Sequence, residues 1–277
     1  MNDQEILRFD HVSLSFDDVA ALRDISFTVT RGESLILLGA AGSGKTTLLK
    51  VALGLLRADS GRVLLFGRDV THVDEREWFD LRAKVGVLFQ EGGLFDSLTI
   101  EENVGYPLRN QRLLRIPDEQ ILPRVEESLQ FVELGHTLEM FPSDLSGGMR
   151  RRVGIARAVV TNPELFLYDS PTAGLDPITA NTIIALIVQG RDLHRTTTVM
   201  VTHRFQDGQI LSGYVFDATT GRLRAAENGG SSKTRYLVLR EGAVAFDGSQ
   251  AELESSRDPY LKKFVRQEPL RPGAVGF

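Results

Sequence analysis

The fold of this chain can be inferred first from the stretch Ser34-Leu35-Ile36-Leu37-Leu38-Gly39-Ala40-Ala41-Gly42-Ser43-Gly44-Lys45-Thr46-Thr47. Its first part, Ser34–Leu38, is a short, nearly continuous apolar run, which is typical of a strand buried on both faces. Glycines follow directly, and Lys45–Leu56 has the apolar spacing of a helix. A strand, a glycine-rich loop and a helix in this order predict a parallel α/β unit.

The glycine-rich loop has the residue types of a phosphate cradle. Glycine lets the backbone approach a polyphosphate closely because no Cβ stands in the way, and successive N–H groups at a helix start supply partial positive charge. We expect Lys45 to neutralise the β- and γ-phosphates and the Thr46 hydroxyl to bind Mg²⁺. The loop therefore predicts binding of ATP or GTP through Gly39, Ala40, Ala41, Gly42, Ser43, Gly44, Lys45, Thr46 and Thr47.

A second apolar run, Leu165–Tyr168, ends directly in Asp169. Many buried strands end in aspartate, so this feature is weak by itself. Downstream of a phosphate loop it indicates a carboxylate placed at the edge of the Mg²⁺ site.

Around these two runs the chain divides into sheet and helical parts. Alternating strands at Ile6–Phe9, Val12–Phe16 and Ile25–Val29 predict an N-terminal antiparallel sheet with one exposed face. Apolar residues at helical spacing between about Thr99 and Val160 predict an inserted helical subdomain. Further elements are predicted at Val63–Phe66, Val85–Phe89, Ile178–Gln189 (a helix), Thr197–Val201, Tyr236–Leu239 and Val244–Phe246.

The predicted fold class is therefore α/β: a P-loop NTPase (RecA-like) parallel-sheet core with an N-terminal antiparallel β subdomain and an inserted α-helical subdomain. We expect one ATP-binding domain over 1–268, with 1–98 and 161–268 forming the sheets and 99–160 the helical subdomain. The last segment, 269–277, is expected to be an irregular tail.

The composition bounds the kind of protein. Of 277 residues, 37 are acidic and 32 basic, and the net charge of -5 gives no basic field that would attract nucleic acid. The chain has no cysteine, which excludes disulfides and fits a reducing cytoplasm. The first residues lack the layout of a signal peptide, and no apolar run approaches the roughly 20 residues that span a bilayer. We expect a soluble cytoplasmic protein that meets a membrane only through partners.

The segment Leu145-Ser146-Gly147-Gly148-Met149 resembles the signature motif of the ABC (ATP-binding cassette) transporter family, with Met149 where the family usually has glutamine. Because it lies just before a helix, its N–H groups and the Ser146 hydroxyl form a second anion site. One subunit has no use for two distant phosphate sites, whereas a two-fold dimer does. Ser146, Gly147, Gly148 and Met149 are therefore expected to close over the γ-phosphate of the partner's ATP.

Other elements of this family follow in order, and the resemblance covers nearly the entire chain. Gln90 resembles the Q-loop glutamine, which contacts Mg²⁺ and the attacking water, and Leu175 and Asp176 resemble the D-loop, which crosses the dimer interface. His203 resembles the switch histidine on the γ-phosphate, and Phe16 stands where relatives stack an aromatic ring on adenine. The resemblance implies ATP and Mg²⁺ as cofactors. The implied catalytic residues are Lys45, Gln90, Asp169, Ser170 and His203, and the implied metal ligands are Thr46, Gln90 and Asp169.

Parts of the chain resemble one subfamily, the ATPases of Mla-type and mammalian-cell-entry (MCE) lipid transport systems. The resemblance lies in Val87–Leu98, Glu102–Arg109, Leu145–Arg152 and Asp258–Phe264. It implies phospholipid movement between bacterial membranes, with permease and MCE-domain partners, at the cytoplasmic face of the inner membrane. One alternative is the ATPase of another importer or exporter, such as one for amino acids or metals. A soluble ABC protein acting on ribosomes or DNA usually has a second cassette or coiled-coil insertions, which this sequence lacks.

Ser170 departs from the family pattern, which has glutamate directly after Asp169. Serine cannot accept a proton usefully at neutral pH, and loss of a general base costs on the order of 10²–10⁴-fold in rate. The chain can be a natural but slow ATPase (or pair with a competent subunit), a nucleotide-gated regulatory cassette, or an engineered trap of the ATP-bound state. We favour the slow ATPase.

Two segments receive ordinary structural interpretations. Arg150–Arg152 is expected to face solvent or acidic neighbours, with no chemical role. The polar, glycine-rich stretch Thr219–Lys233 is expected to be a disordered loop.

Overall fold

The computed structural model describes residues 5–90, 92–111, 116–226 and 233–265, so the predicted tail 269–277 lies outside the described residues. The strands are β1 (Glu5–Phe16), β2 (Val19–Thr30), β3 (Ser34–Gly39), β4 (Ser60–Leu65), β5 (Arg68–Asp69), β6 (Val85–Leu88), β7 (Leu165–Asp169), β8 (Thr197–Val201), β9 (Tyr214–Asp217), β10 (Arg222–Ala225), β11 (Thr234–Arg240) and β12 (Ala243–Gly248). The helices are α1 (Lys45–Ala52), α2 (Glu75–Arg82), α3 (Ile100–Asn110), α4 (Asp118–Phe131), α5 (Gly147–Val159), α6 (Pro177–His194), α7 (Phe205–Gly213), α8 (Gln250–Ser255) and α9 (Pro259–Val265).

Strand β3 lies inside a six-stranded sheet of order β12-β11-β3-β8-β7-β6. Strands β11, β3, β8, β7 and β6 are parallel, and the edge strand β12 is antiparallel to β11. Alternate residues of β3 enter two cores: Ile36 and Leu38 pack with the helical part, whereas Leu35 and Leu37 pack with α1 and the N-terminal sheet. A strand buried on both faces needs apolar residues at every position, which explains the continuous run. The predicted parallel α/β core is confirmed.

The N-terminal sheet has the order β2-β1-β4-β5 and is antiparallel, as predicted. The two strands predicted at Ile6–Phe9 and Val12–Phe16 form one strand, β1, with a register shift between Phe9 and Val12. His11 has a φ of 53° at this point, so the break in the sequence pattern is a β-bulge. The buried rings of Phe9 and Phe27 stack at 4.9 Å between centroids and close the inner face of the sheet.

Helix α1 is shorter than predicted, because it ends at Ala52 and not at Leu56. Gly54 has a φ of 65°, its N–H donates to the Val51 carbonyl, and the Leu55 N–H donates to the Lys50 carbonyl. This pair of bonds is a Schellman motif, which stops a helix at a left-handed residue.

The stretch predicted to be helical, 99–160, holds α3, α4 and α5. Thr99 and Glu102 form a capping box that starts α3, and Ser146 caps α5 by accepting from the Met149 N–H. The apolar faces of these helices pack on the same core cluster as Leu88 of β6, which fixes the helical part against the sheet.

The disorder predicted for Thr219–Lys233 is wrong for Arg222–Ala225, which form β10 and pair antiparallel with β9. Residues 227–232 lie outside the described ranges. The turn forms because the Asp217 carboxylate accepts from the Thr219 N–H and Gly221 adopts a φ of 68°. Among the described helices, none combines the length and apolar character that crossing a bilayer requires.

Candidate nucleotide site

The phosphate loop joins the end of β3 to the start of α1. Gly44, directly before the helix, has a φ of 100°, and a Cβ there would lie 2.5 Å from the Ala21 carbonyl oxygen. The buried Lys45 Nζ donates to the carbonyl oxygens of Gly39 (2.9 Å) and Ala40 (2.7 Å). Burial lowers the pKa of Lys45 to about 8, and the nearby Asp169 carboxylate opposes this shift. The loop thus holds a lysine ammonium at its base, with its charge only partly compensated.

The ends of β7 and β8 bring three more predicted residues to this point. Asp169 is buried at the end of β7, and the Ser170 hydroxyl donates to its Oδ1 at 3.1 Å. Burial lowers the pKa of His203, and the Lys45 charge lowers it further, whereas a hydrogen bond with the Gly39 backbone raises it. Lys45, Asp169, Ser170 and His203 therefore meet where adjacent parallel strands end, which is where open α/β sheets bind ligands.

The residues present fit Mg²⁺ held mainly by a nucleotide. Within the described residues, no group of three or more His, Cys, Asp or Glu side chains is placed to hold a metal ion. Mg²⁺ in such sites commonly binds one or two carboxylates, phosphate oxygens and water. Asp169 and the exposed Thr46 would supply the protein ligands, whereas Gln90, two residues beyond the end of β6, stays a predicted ligand.

The signature residues lie in a different place from the phosphate loop. Gly147 lines a cleft together with Gln90, Gly93, Ala173 and Leu175, and no residue of the phosphate loop is among those that line it. The structure therefore separates the predicted residues into a phosphate-loop group and a second group formed by the signature, the Q-loop and the D-loop.

The start of α5 packs closely on the start of α6. A Cβ at Gly148 would lie 2.7 Å from Thr179 Cγ2, so a larger residue here would force the Thr179 side chain to shift. Asp176 caps α6 by accepting from the N–H groups of Ile178 and Thr179, both at 3.0 Å. The pKa of Asp176 is lowered, and the largest cause is its hydrogen bond with Thr179. The signature and the D-loop are thus one packed unit.

Phe16 lies at the end of β1 and is 47 % exposed. Phe16 pairs with Val19 across the β1–β2 hairpin. Further along β2, Ala21 and Leu22 lie against the phosphate loop at Gly44. An exposed ring beside this loop is positioned for stacking on a base, and its role stays a prediction.

Sequence reasoning missed three side chains at this site. Arg150–Arg152 was predicted to face solvent or acidic neighbours, and the solvent-facing alternative is wrong for Arg151. This residue is 5 % exposed because it shares the buried face of α5 with Ile155, four residues on. That spacing was the available signal. Asp207 is fully buried and accepts from the hydroxyls of Thr172 (2.5 Å) and Thr202 (2.6 Å). No periodicity marks it, because its partners come from two loops.

The third is Tyr260 of α9. Its hydroxyl accepts from the Ala40 N–H (3.2 Å) and donates to the Leu239 carbonyl (2.7 Å), so the C-terminal helix touches the phosphate loop. Asp258–Phe264 was singled out only by resemblance, which gave Tyr260 no role.

The fold and the site define a P-loop nucleotide-binding cassette, and the predicted fold class is confirmed by the solved structures it resembles. Residues 22–173 match the family described as ABC transporter, and the chain belongs to this family. The methionine import ATP-binding protein MetN of Rhizobium johnstonii is 39 % identical over 258 residues, which cover 91 % of this chain and 66 % of the relative. The probable ribonucleotide transport ATP-binding protein mkl of Mycobacterium leprae is 38 % identical over 258 residues, covering 93 % of this chain and 68 % of that protein.

Among solved structures, the dimeric post-hydrolysis state of the ATP-binding cassette MJ0796 bound to ADP and Pi matches with a TM-score of 0.73 and 28 % identity. The match covers 88 % of this chain and 98 % of the MJ0796 chain. The chain spans 55 to 66 % of the length of three methionine-import relatives. The resemblance to ABC transporter cassettes is thereby confirmed.

Proposed function

We propose that this chain is the ATP-binding subunit of an ABC transporter, which binds ATP and Mg²⁺ and works as a homodimer beneath membrane permease subunits. The observation that carries the proposal is the meeting of Lys45, Asp169 and His203 at adjacent strand ends. Such a constellation positions a triphosphate and stabilises its charge. On this proposal the subunit lies in the cytoplasm, peripheral to the inner membrane, and residues 1–268 form its ATP-binding domain.

A dimer completes the site. The signature lies away from the phosphate loop of its own subunit, so each signature serves the partner's nucleotide in a two-fold arrangement. Ile178, beside the D-loop, is 81 % exposed, as expected for a residue that a second copy covers. The matching MJ0796 cassette is described as dimeric with ADP and Pi bound.

The permease partner has a suitable docking groove. Exposed rings of Phe89, Phe95 and Tyr106 surround a groove next to the Q-loop, and the Arg157 guanidinium lies 5.8 Å from the Phe95 ring centre. An amphipathic helix inserts its apolar face into a groove of this kind. A movement of the Q-loop that accompanies nucleotide binding is then transmitted to the permease.

For the cargo, we infer phospholipid trafficking of the Mla or MCE type, with an MCE-domain protein as a further partner. The support is sequence resemblance in Val87–Leu98 and Asp258–Phe264. A second candidate is import of a small polar solute, favoured by relatives named for methionine and ribonucleotide transport. Purification of the tagged chain from membranes separates the two: an MCE-domain protein beside the permease supports lipid transport, and a solute-binding protein in its place contradicts it.

The proposed turnover is slow, because Ser170 supplies no general base next to Asp169. We expect Ser170→Glu to raise steady-state phosphate release at least several-fold, with Ser170→Ala as the control that adds no carboxylate. A flat rate in Ser170→Glu, with ATP binding intact, contradicts this account. If the unaltered chain does not bind Mg²⁺-ATP in titration calorimetry, the proposed function is wrong. The alternative of a nucleotide-gated regulatory cassette is then excluded too, because it also requires ATP binding.

A further inference from the structure

Arg151 connects two parts of the molecule that serve different nucleotides in the proposed dimer. It lies in α5, the helix that begins at the signature, and is 5 % exposed. Its Nη1 donates to the Pro171 carbonyl at 2.6 Å, and its Nη2 donates to the Ala173 carbonyl at 2.8 Å. These carbonyls belong to the segment 170–173, which follows Asp169 and begins with Ser170.

The segment 170–173 is also tied to the elements around the switch histidine. The Ser170 N–H donates to the Val201 carbonyl at 2.9 Å, at the end of β8. The buried Thr172 hydroxyl donates to Asp207, which also accepts from Thr202, the residue before His203. The segment therefore lies between α5 and the β8–α7 connection, with buried hydrogen bonds to both.

We propose that Arg151 is a positioning residue that couples the signature helix to the segment carrying Ser170 in its own subunit. The proposal rests on the proposed function, because it requires that the signature closes on the partner's ATP. When that happens, α5 moves as a rigid element, and Arg151 carries the movement to the segment 170–173. Each nucleotide then influences the geometry at the other one.

The chemistry of arginine suits this role. The guanidinium is planar and presents its donors in a fixed fork, so bonds to two carbonyls define both the position and the direction of the segment. The carbonyls of Pro171 and Ala173 flank Thr172, whose side chain is anchored on the opposite side by Asp207. Lysine is a compact point charge on a flexible stem and cannot hold two carbonyls in the same geometry.

The test compares Arg151→Gln, Arg151→Lys and Arg152→Gln with the unaltered full-length chain. Arg152 is the matched control, since it is the next residue of α5, is less buried, and contacts Glu133 and the Val132 carbonyl, away from the segment 170–173. Fluorescent-nucleotide binding, ATP-driven dimerisation by sedimentation, and the ATP dependence of phosphate release are measured for each. Circular dichroism establishes which variants are folded.

We expect Arg151→Gln to bind nucleotide within about twofold of the parent, because the phosphate loop is untouched. Its kcat falls by roughly 10- to 100-fold, the loss expected when the segment that adjoins Asp169 is misplaced by about 1 Å. Its Hill coefficient falls towards about 1, since intersite coupling is lost. Arg151→Lys recovers part of the kcat, and Arg152→Gln matches the parent.

Unchanged kcat and Hill coefficient in folded Arg151→Gln overturn the proposal, as does a variant that only melts at a lower temperature. If Arg151→Gln does not fold, Arg151→Lys decides: parent-like cooperativity overturns the coupling role, and reduced cooperativity supports it. If the parent neither binds ATP nor dimerises with it, the proposed function fails first and takes this inference with it.

Discussion

Lys45 is buried at the base of the phosphate loop, and burial lowers its pKa to about 8. A bound triphosphate favours the charged ammonium, so binding above about pH 8 must take up a proton. We therefore expect the affinity for Mg²⁺-ATP to fall by about tenfold or more between pH 7 and pH 9.5. Calorimetry in buffers of different ionisation enthalpy measures both the affinity and the proton uptake.

Two variants control this prediction. Lys45→Ala is expected to lose both the affinity and its pH dependence, whereas exposed Lys50→Ala, in the last turn of α1, keeps them.

In the unliganded chain, the stability that Lys45 contributes changes with pH in the opposite direction to the ATP affinity. The pKa of Lys45 in the folded state lies below its ordinary value, so the folded state releases the proton first and the lysine's contribution to stability rises from about pH 8 upwards. An affinity that does not change with pH contradicts the assignment.

Asp207 is fully buried, and burial raises the pKa of its carboxyl, which hydrogen bonds from Thr172 and then Thr202 oppose. Asp207→Ala leaves two buried hydroxyls without their acceptor. We expect it to lower the free energy of unfolding by about 3 kcal/mol in urea denaturation. Asp207→Asn keeps an acceptor oxygen and is expected to lose less. Equal stability of Asp207→Ala and the parent would show that the two loops are held together by other contacts.

At the scale of elements, α5 approaches α6 closely at Gly148. A Cβ at Gly148 would lie 2.7 Å from Thr179 Cγ2, whereas a Cβ at Gly147 meets no atom within 4 Å. We expect Gly148→Ala to lower the melting temperature by several degrees, as overpacking costs about 1–3 kcal/mol. Gly147→Ala is the matched control and is expected to be neutral or slightly stabilising, because alanine favours helix. Equal melting temperatures for the two variants contradict the packing argument.

Elements with a strong local pattern were predicted from the sequence, and those set by their neighbours were not. The buried strands β3, β7 and β8 and the inserted helices α4 and α5 were recognised because their apolar periodicity is a local property. The end of α1 was misplaced because the residue types in Leu53–Leu56 fit a helix, whereas Gly54 adopts a left-handed φ that ends it. Helices α2 and α7 and the β9–β10 hairpin were missed, since such short elements are stabilised by packing on other elements and, in α2, by a capping box.

For the whole molecule, the proposed dimer makes a prediction about Ile178, which is 81 % exposed beside the D-loop. Ile178→Asp places a charge in the two-fold interface, so we expect ATP-driven dimerisation to weaken by about tenfold or more without loss of nucleotide binding. Leu193→Asp is the matched control, since Leu193 is 47 % exposed at the other end of the same helix. Sedimentation velocity with Mg²⁺-ATP measures both. Equal dimerisation of the two variants places the interface elsewhere.

The phosphate loop, the order of the family motifs and the parallel α/β unit could be predicted from the sequence alone, because each depends on residues that are neighbours along the chain. Resemblance alone implied that Lys45, Asp169 and His203 share a site and that the signature lies apart from the phosphate loop, and the folded chain has this arrangement. The contact of Arg151 with the segment after Asp169 was visible only in the tertiary structure. These contacts join residues from different strands and helices. Their distances are set by sheet order and helix packing, which no local pattern encodes.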